Sequence, residues 1–211
     1  ERSPGDDPVR VAPATANGTP SQDDAPVTVA RETAYDATRA LGAVTFAGAP
    51  AELIEGADPV LDGRALQRAL LAAEDLGATV SCLDRTREYA VDRHAFGRSI
   101  GSYQAIKHKL VEMLRRAELT RSLVAYAGLA HGSRRAEFEL AANAARVQGA
   151  DALDYAAAES IFIHGGVGAT WEADTSLYYR RAEQSRRLQG GSDAAALTVA
   201  DALEREPRGF T

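Results

Sequence analysis

The sequence predicts a mostly α fold, a bundle of long antiparallel helices preceded by a short β segment. Three observations lead there. From Asp62 almost to the C-terminus, apolar residues recur at three- and four-residue steps, the period of a helix face. Glycine-bearing breaks at Gly97, Gly132, Gly165-Gly166 and Gly190-Gly191 cut that stretch into helix-sized pieces. Five of the eight prolines lie within the first 26 residues, so the helical pattern has a different kind of segment before it.

Those first residues mix proline with Asp, Thr, Asn and Gly, a composition that buries too little apolar surface to offset the entropy of ordering it. They read as loop or linker. Between Ala25 and Leu53, Val27 and Val29 alternate, and Ala43, Val44, Thr45 and Phe46 sit between Gly42 and Gly48, which reads as one or two short strands. Leu66, Leu70, Ala73, Gly77, Val80 and Leu83 then mark the buried stripe expected of a first long helix, running to about Arg93. A second helix is expected after Ser102, with Ile106, Leu110, Met113 and Ala117 on one face and a break at Gly132. A third carries Leu140, Ala144, Val147, Leu153, Ala157 and Ile161 to Gly165 and Gly166, glycines suited to a helix end that needs left-handed backbone. Shorter helices are expected over about 174–187 and 192–203, the last one with Ser192 as its N-cap.

Bulk composition narrows the function. A net charge of -6 offers nucleic acid or an anionic membrane little attraction, and neither is expected as a partner. The single cysteine, Cys82, allows no internal disulfide, which suits a cytoplasmic location. Neither a signal peptide nor an apolar run of membrane-spanning length is evident. His94, His108, His131 and His164 lack metal-ligand spacing and read as neutral or solvated, with no metal expected. The chain begins at Glu1 with no initiator Met, the start expected of a fragment or a processed product.

Three segments carry chemistry. Residues 92–108, with Arg93, Phe96-Gly97-Arg98, Tyr103 and Gln104, form a basic glycine-bearing corner between helices, where an arginine fork and helix N-terminal amides can receive a phosphate. The same residues read, on chemistry alone and more commonly, as an ordinary interhelical turn. Gly165-Gly166-Val167-Gly168 lets backbone approach a ligand, yet it follows a helix instead of a strand and so is no dinucleotide fingerprint. Leu188-Gln189-Gly190-Gly191-Ser192-Asp193 is a further glycine break. Trp171 reads as a packing anchor near the second segment, and Arg180, Arg181, Arg186 and Arg187 read either as a phosphate-binding site or, more commonly, as a solvated helix face.

In this order, Arg93 to Gly97, Gln104 to Ile106, Gly165 to Gly168, Tyr178 to Ala182 and Gln189 to Ser192 resemble the R-x-x-F-G, Q-A-I, G-G-x-G, Y-Y-R-x-A and E-G-T-S motifs of the acyl-CoA dehydrogenase C-terminal domain. The resemblance covers about residues 36–205, and Thr170-Trp171-Glu172 is similar to the actinobacterial branch that includes heterotetrameric steroid side-chain dehydrogenases. It implies a four-helix-bundle domain at 62–211, preceded at 1–61 by a linker and the last strands of the middle β domain, with the N-terminal helical domain outside this chain. It also implies FAD as cofactor. Arg93, Phe96 and Gln104 match positions that touch the FAD of a neighbouring subunit, with Tyr103 placed among them, while Gly165, Gly166 and Ser192 match positions around its ADP or pyrophosphate. Arg68 and Gly190 match substrate-binding positions.

The departures from the family pattern are equally informative. The family's carboxylate base precedes the G-T-S break or stands before an arginine in the first long helix; here those places hold Gln189 and Gln67. An amide accepts no proton near neutral pH, and general-base catalysis contributes roughly 10²- to 10⁴-fold. Phe162 replaces a flavin-contacting glutamine, and Gly191 replaces a threonine. No residue of this chain is therefore assigned as catalytic. The expected function is that of a subunit in an FAD-dependent, α,β-dehydrogenating acyl-CoA dehydrogenase that works with a dehydrogenase-like partner, as α2β2 or in a homo-oligomer, on an acyl-CoA substrate with electron-transfer flavoprotein or a similar acceptor. Two alternatives stand beside it: a flavin-free pseudoenzyme that stabilises a partner, and a competent enzyme whose base has moved to Glu74, Asp75 or Asp193.

Overall fold

The computed structural model describes residues 9–11, 26–53 and 58–205, and it divides into two units, Glu1–Gly63 and Arg64–Thr211. Most of the proline-rich opening lies outside the described residues. In the first unit, β1 (Val9–Val11) pairs antiparallel with β4 (Ala51–Leu53), and β2 (Val27–Glu32) pairs antiparallel with β3 (Leu41–Phe46). Val29 faces Val44 across the second pair, the β-branched match that favours a strand register. Asp36, fully buried, shapes the connection between β2 and β3 by accepting the Thr38 amide (2.8 Å) and hydroxyl (2.5 Å).

The second unit is the helical bundle that the sequence predicts. It comprises α1 (Asp58–Asp92), which starts ahead of the unit boundary, a two-strand hairpin β5 (His94–Ala95) and β6 (Arg98–Ser99), α2 (Gln104–Ser133), α3 (Arg135–His164), α4 (Thr175–Ser185) and α5 (Gly191–Arg205). Single 3₁₀ turns at Ile100–Ser102, Gly165–Ala169 and Leu188–Gly190 join the later pieces. Partners along the helices fix their directions. Lys109 pairs with Glu159 and Arg116 with Asp151, so α2 and α3 are antiparallel. Arg146 meets Asp75 and Ser160 meets Thr86, so α1 runs parallel to α3. Asp174 pairs with Arg85 and Ser185 with Asp75, so α4 returns antiparallel to α1.

Small side chains hold the bundle together. One core cluster contains Ala65, Ala72, Ala127, Ala130, Phe138 and Ala145, and a second contains Cys82, Met113, Leu153, Ala156, Ala157 and Ala182. Helices faced with alanine approach closely: a Cβ built on Gly149 of α3 would stand 3.2 Å from the Cα of Ala72.

Three expectations are corrected. The leucine stripe of α1 holds only at its far end, where Val80 is half-buried and Leu83 packs against the second core cluster: Leu66 and Leu70 are 40% and 61% exposed, and Ala73 and Gly77 are also exposed. Ala65, Ala72, Asp75, Thr79, Cys82, Thr86 and Ala90 face the bundle instead, because the close approach of α3 admits only small or specifically paired side chains. The break between α2 and α3 falls at Arg134 (φ −136°, ψ 59°) and not at Gly132; the helix carries its glycine because packing outweighs a propensity cost of about 1 kcal/mol. Ser192 does not cap α5. Gly191, at φ 83° and ψ 173°, holds the non-helical position, and Ser192 is already inside the helix.

Candidate functional site

At the end of the bundle where α1 stops and α2 begins, the chain makes a hairpin whose two loop residues, Phe96 (φ 53°) and Gly97 (φ 80°), both take left-handed backbone. Two such residues define a type I′ turn, for which glycine is suited and phenylalanine is not. The hairpin is tied down locally. The Ile100 amide donates to the Arg93 carbonyl at 2.8 Å, and the Tyr103 hydroxyl donates to the Ala95 carbonyl at 3.1 Å. The Arg98 guanidinium lies 4.0 Å from the Tyr103 ring centroid. The result holds Phe96 at the tip, 97% exposed, with Arg93 exposed at its base. Gln104, the first residue of α2, has its amide 2.9 Å from His108.

The end of α3 belongs to the same end of the bundle. The His164 ring stacks on Tyr89 of α1 at 4.2 Å, and the Tyr89 hydroxyl donates to the His164 carbonyl at 3.3 Å. Gly165 then turns the chain at φ 66°, and Gly166 is exposed beside it. Gly168 is the tight member of this turn, since a Cβ there would sit 2.7 Å from that of His164. Phe162, one helical turn earlier, is 65% exposed and lies under the Lys109 ammonium at 4.6 Å. Trp171 is no packing anchor: it is 71% exposed, with the Arg180 guanidinium 4.3 Å from its ring.

The Gln189 turn lies elsewhere. Gln189, Gly190 and Gly191 are three successive residues with left-handed φ (57°, 81° and 83°), and Gln189 is exposed. Gly190, Gly191, Ser192 and Asp193 line an open cleft of about 700 Å³ with Asp151, Asp154, Arg186 and Arg187. Burial holds the Asp154 carboxyl above its ordinary pKa, against the pull of Arg186 at 3.4 Å, with the nearby Glu183 and Asp151 carboxylates adding to the rise. This cleft abuts α3 around Val147–Asp154, whose nearer end is about three helical turns or roughly 16 Å along the axis from Gly165. The residues matched to flavin-binding positions thus form two groups, Arg93, Phe96, Tyr103, Gln104, Gly165 and Gly166 at one end and Ser192 beside Gly190 partway along.

Gln67 is exposed near the start of α1, and Arg68 next to it donates to the side-chain oxygen of the buried Asn143. Desolvation lowers the Arg68 pKa, with Glu139 opposing. Among the carboxylates considered as relocated bases, Glu74 pairs with Arg181, Asp193 is exposed at the cleft, and Asp75 is fully buried. Asp75 accepts from Arg146 Nη1 (2.7 Å) and from the Ser185 hydroxyl (2.7 Å). The solvated-face reading of the arginines holds in part: Arg181 and Arg186 are engaged with Glu74 and Asp154, and Arg186 and Arg187 with Glu183. Sequence reasoning missed Arg146, Asn143 and Asp154. The available signal was a lone arginine or asparagine in an alanine-rich helix stretch, where a polar side chain needs a specific partner. Among the described residues, no three His, Cys, Asp or Glu side chains are grouped to hold a metal ion.

Residues 55–204 match the family model described as acyl-CoA dehydrogenase, C-terminal domain. The acyl-CoA dehydrogenase IpdE2 of Mycobacterium tuberculosis is 44% identical over 119 residues, 56% of this chain and 36% of that protein. FadE34, an acyl-CoA dehydrogenase of the same organism, is 36% identical over 160 residues, 75% of this chain and 22% of that protein. The chain therefore spans well under half the length of these curated relatives. Among solved structures, the Tcur3481-Tcur3483 steroid ACAD G363A variant superposes with a TM-score of 0.80 at 22% identity, covering 86% of this chain and 50% of that one. The ChsE4-ChsE5 complex from Mycobacterium tuberculosis gives 0.79 at 23% identity, covering 86% and 50%.

Proposed function

The chain belongs to the acyl-CoA dehydrogenase family, through that family's C-terminal domain, and on this premise we propose that it is one subunit of a heteromeric FAD-dependent dehydrogenase whose partner carries the catalytic base. The observation that carries the proposal is the pair of exposed amides, Gln67 and Gln189, at the two places where the family keeps its carboxylate, combined with retention of the hairpin that presents Phe96. An exposed amide binds and orients a thioester carbonyl but removes no α-proton.

The residues present fit FAD. An aromatic ring held fully exposed at a rigid tip suits stacking on a flat heterocycle, Arg93 and Gln104 offer donors beside it, and the left-handed Gly165 lets backbone approach a diphosphate. Bound FAD supplies the acceptor for the hydride leaving the β-carbon. This chain's own residues have positioning tasks: Arg93, Phe96, Tyr103 and Gln104 complete a flavin site on a neighbouring subunit, Gly165 and Gly166 flank it, Ser192 serves a separate flavin contact, and Arg68 and Gly190 contact the acyl-CoA thioester. Separation of the two groups along α3 supports a flavin site shared between subunits. In this reading residues 1–61 are a linker and the end of a middle β domain, the assembly is α2β2, electron-transfer flavoprotein or a similar acceptor takes the electrons, and the substrate is a steroid-derived acyl-CoA, in keeping with the steroid ACAD among the structural neighbours.

Native mass spectrometry of the full chain, co-expressed with acyl-CoA dehydrogenase subunits of the same cell, tests this. An α2β2 mass carrying FAD is the expected result, with activity abolished by replacing the partner's glutamate. A flavin-free assembly overturns it in favour of a stabilising pseudoenzyme, the reading that Phe162 and Gly191 favour. A flavin-loaded, active homo-oligomer overturns the partner's role, and directs attention to Asp193, the exposed carboxylate beside the Gln189 turn.

A further inference from the structure

Where α1, α3 and α4 cross, an ion pair is buried completely. Asp75 and Arg146 are both 0% exposed, 71 residues apart in sequence, and held at 2.7 Å. Gly149 and Ala72 bring the two backbones together at the same level. Such a pair stabilises little compared with apolar residues of equal volume, because desolvation consumes the attraction. Its presence in an alanine-rich core calls for a task beyond cohesion.

The third partner points to that task. Ser185 is the last residue of α4; its hydroxyl donates to Asp75, and its carbonyl accepts from Arg146 Nη2. Carbonyls in a helix's last turn lack partners within the helix, so a guanidinium donating there helps to set where the helix stops. The next residue, Arg186, accepts the Ser192 amide at 3.1 Å and so closes the loop that holds Gln189, Gly190 and Gly191 in left-handed backbone. Every link from the buried pair to the turn is thus a direct bond or a neighbouring residue.

We infer that the Asp75–Arg146 pair is a positioning device, which fixes the end of α4 and thereby the conformation of the Gln189–Ser192 turn. The pair touches no ligand itself. Its bearing on chemistry rests on the proposed function, in which that turn faces flavin and thioester.

Hydrogen exchange on the full chain in its native assembly tests the device, with FAD titration alongside. The variants are Asp75→Leu with Arg146→Met, Arg146→Lys, and Ser185→Ala, which keeps the ion pair and removes only the hydroxyl. The Ser192 amide should exchange about ten-fold faster in the double variant than in wild type, while amides in the middle of α3 stay protected, with Arg146→Lys intermediate. FAD affinity should fall by about ten-fold in parallel. Unchanged protection at residues 186–192, with the pair removed and the chain folded, overturns the inference. Should the double variant fail to fold, Arg146→Lys decides, because a lysine keeps the charge but lacks the fork that reaches Asp75 and the Ser185 carbonyl together: selective loosening of the turn supports the device, and exchange equal to wild type overturns it. A looser turn with unaltered FAD affinity supports the device and overturns the ligand-facing reading of the turn, so the two ideas fail separately.

Discussion

Phe96 combines two unfavourable features, a left-handed backbone at φ 53° and a ring that is 97% exposed. Asparagine before glycine is the ordinary choice for a type I′ turn, so Phe96→Asn should raise the stability of the isolated chain by up to about 1 kcal/mol in thermal unfolding. The same variant should carry less FAD in the assembly, an opposition that a ring with no ligand would not give. Gly191 makes the converse case. At φ 83° and ψ 173° it occupies backbone reserved for glycine, and a Cβ there would approach the Arg186 carbonyl to 3.1 Å. Gly191→Thr, the family's usual residue, should therefore cost roughly 1–3 kcal/mol by denaturant unfolding. Cys82 has no such exposure. Burial pushes its thiol from 9.0 up to about 12, so the unfolded chain ionises first. Stability from this group is complete below pH 9 and is lost as pH rises towards 12, a slope that Cys82→Ala should remove; thiol reagents should find Cys82 silent at pH 8 until the chain unfolds.

Helix α1 marks the limit of what periodicity reveals. Its existence and its end near Arg93 are legible because apolar residues repeat at helical steps, whereas its start at Asp58 lies ahead of Gly63, where the repeat begins. Which side is buried is not legible in the same way. Periodicity weights the largest apolar residues, Leu66 and Leu70, whereas the packed side carries Ala65, Ala72, Thr79 and Thr86, the only sizes that fit beneath α3. Leu66 and Leu70 are open among the described residues. Leu70→Lys should lower the unfolding free energy of the isolated chain by no more than about 0.5 kcal/mol, since Leu70 is 61% exposed. If that face is used in assembly, the variant should lose mass in native spectra; an unchanged assembly would leave the leucines as ordinary exposed apolar residues. The hairpin after α1 was legible as a break, but its strand pairing was not, because two-residue strands carry no period.

The molecule as a whole separates what motifs disclose from what they conceal. Five ordered motifs identify the family, and each is a local string at a bend of the chain. Arg146, Asp75 and Ser185 left no such string, since their partners lie 71, 39 and 110 residues apart and meet only when three helices cross. Removing one partner exposes the dependence: Asp75→Ala, which strands a buried guanidinium, should cost about 3–5 kcal/mol by calorimetry, well beyond the double apolar replacement. Temperature gives this crossing a further property. Water solvates charge less favourably as it warms, so the penalty for keeping Asp75 and Arg146 dry shrinks on heating, while the hydrophobic gain of any apolar substitute levels off. The crossing that is least economical in the cold is for that reason among the last parts of the bundle to loosen as the temperature climbs.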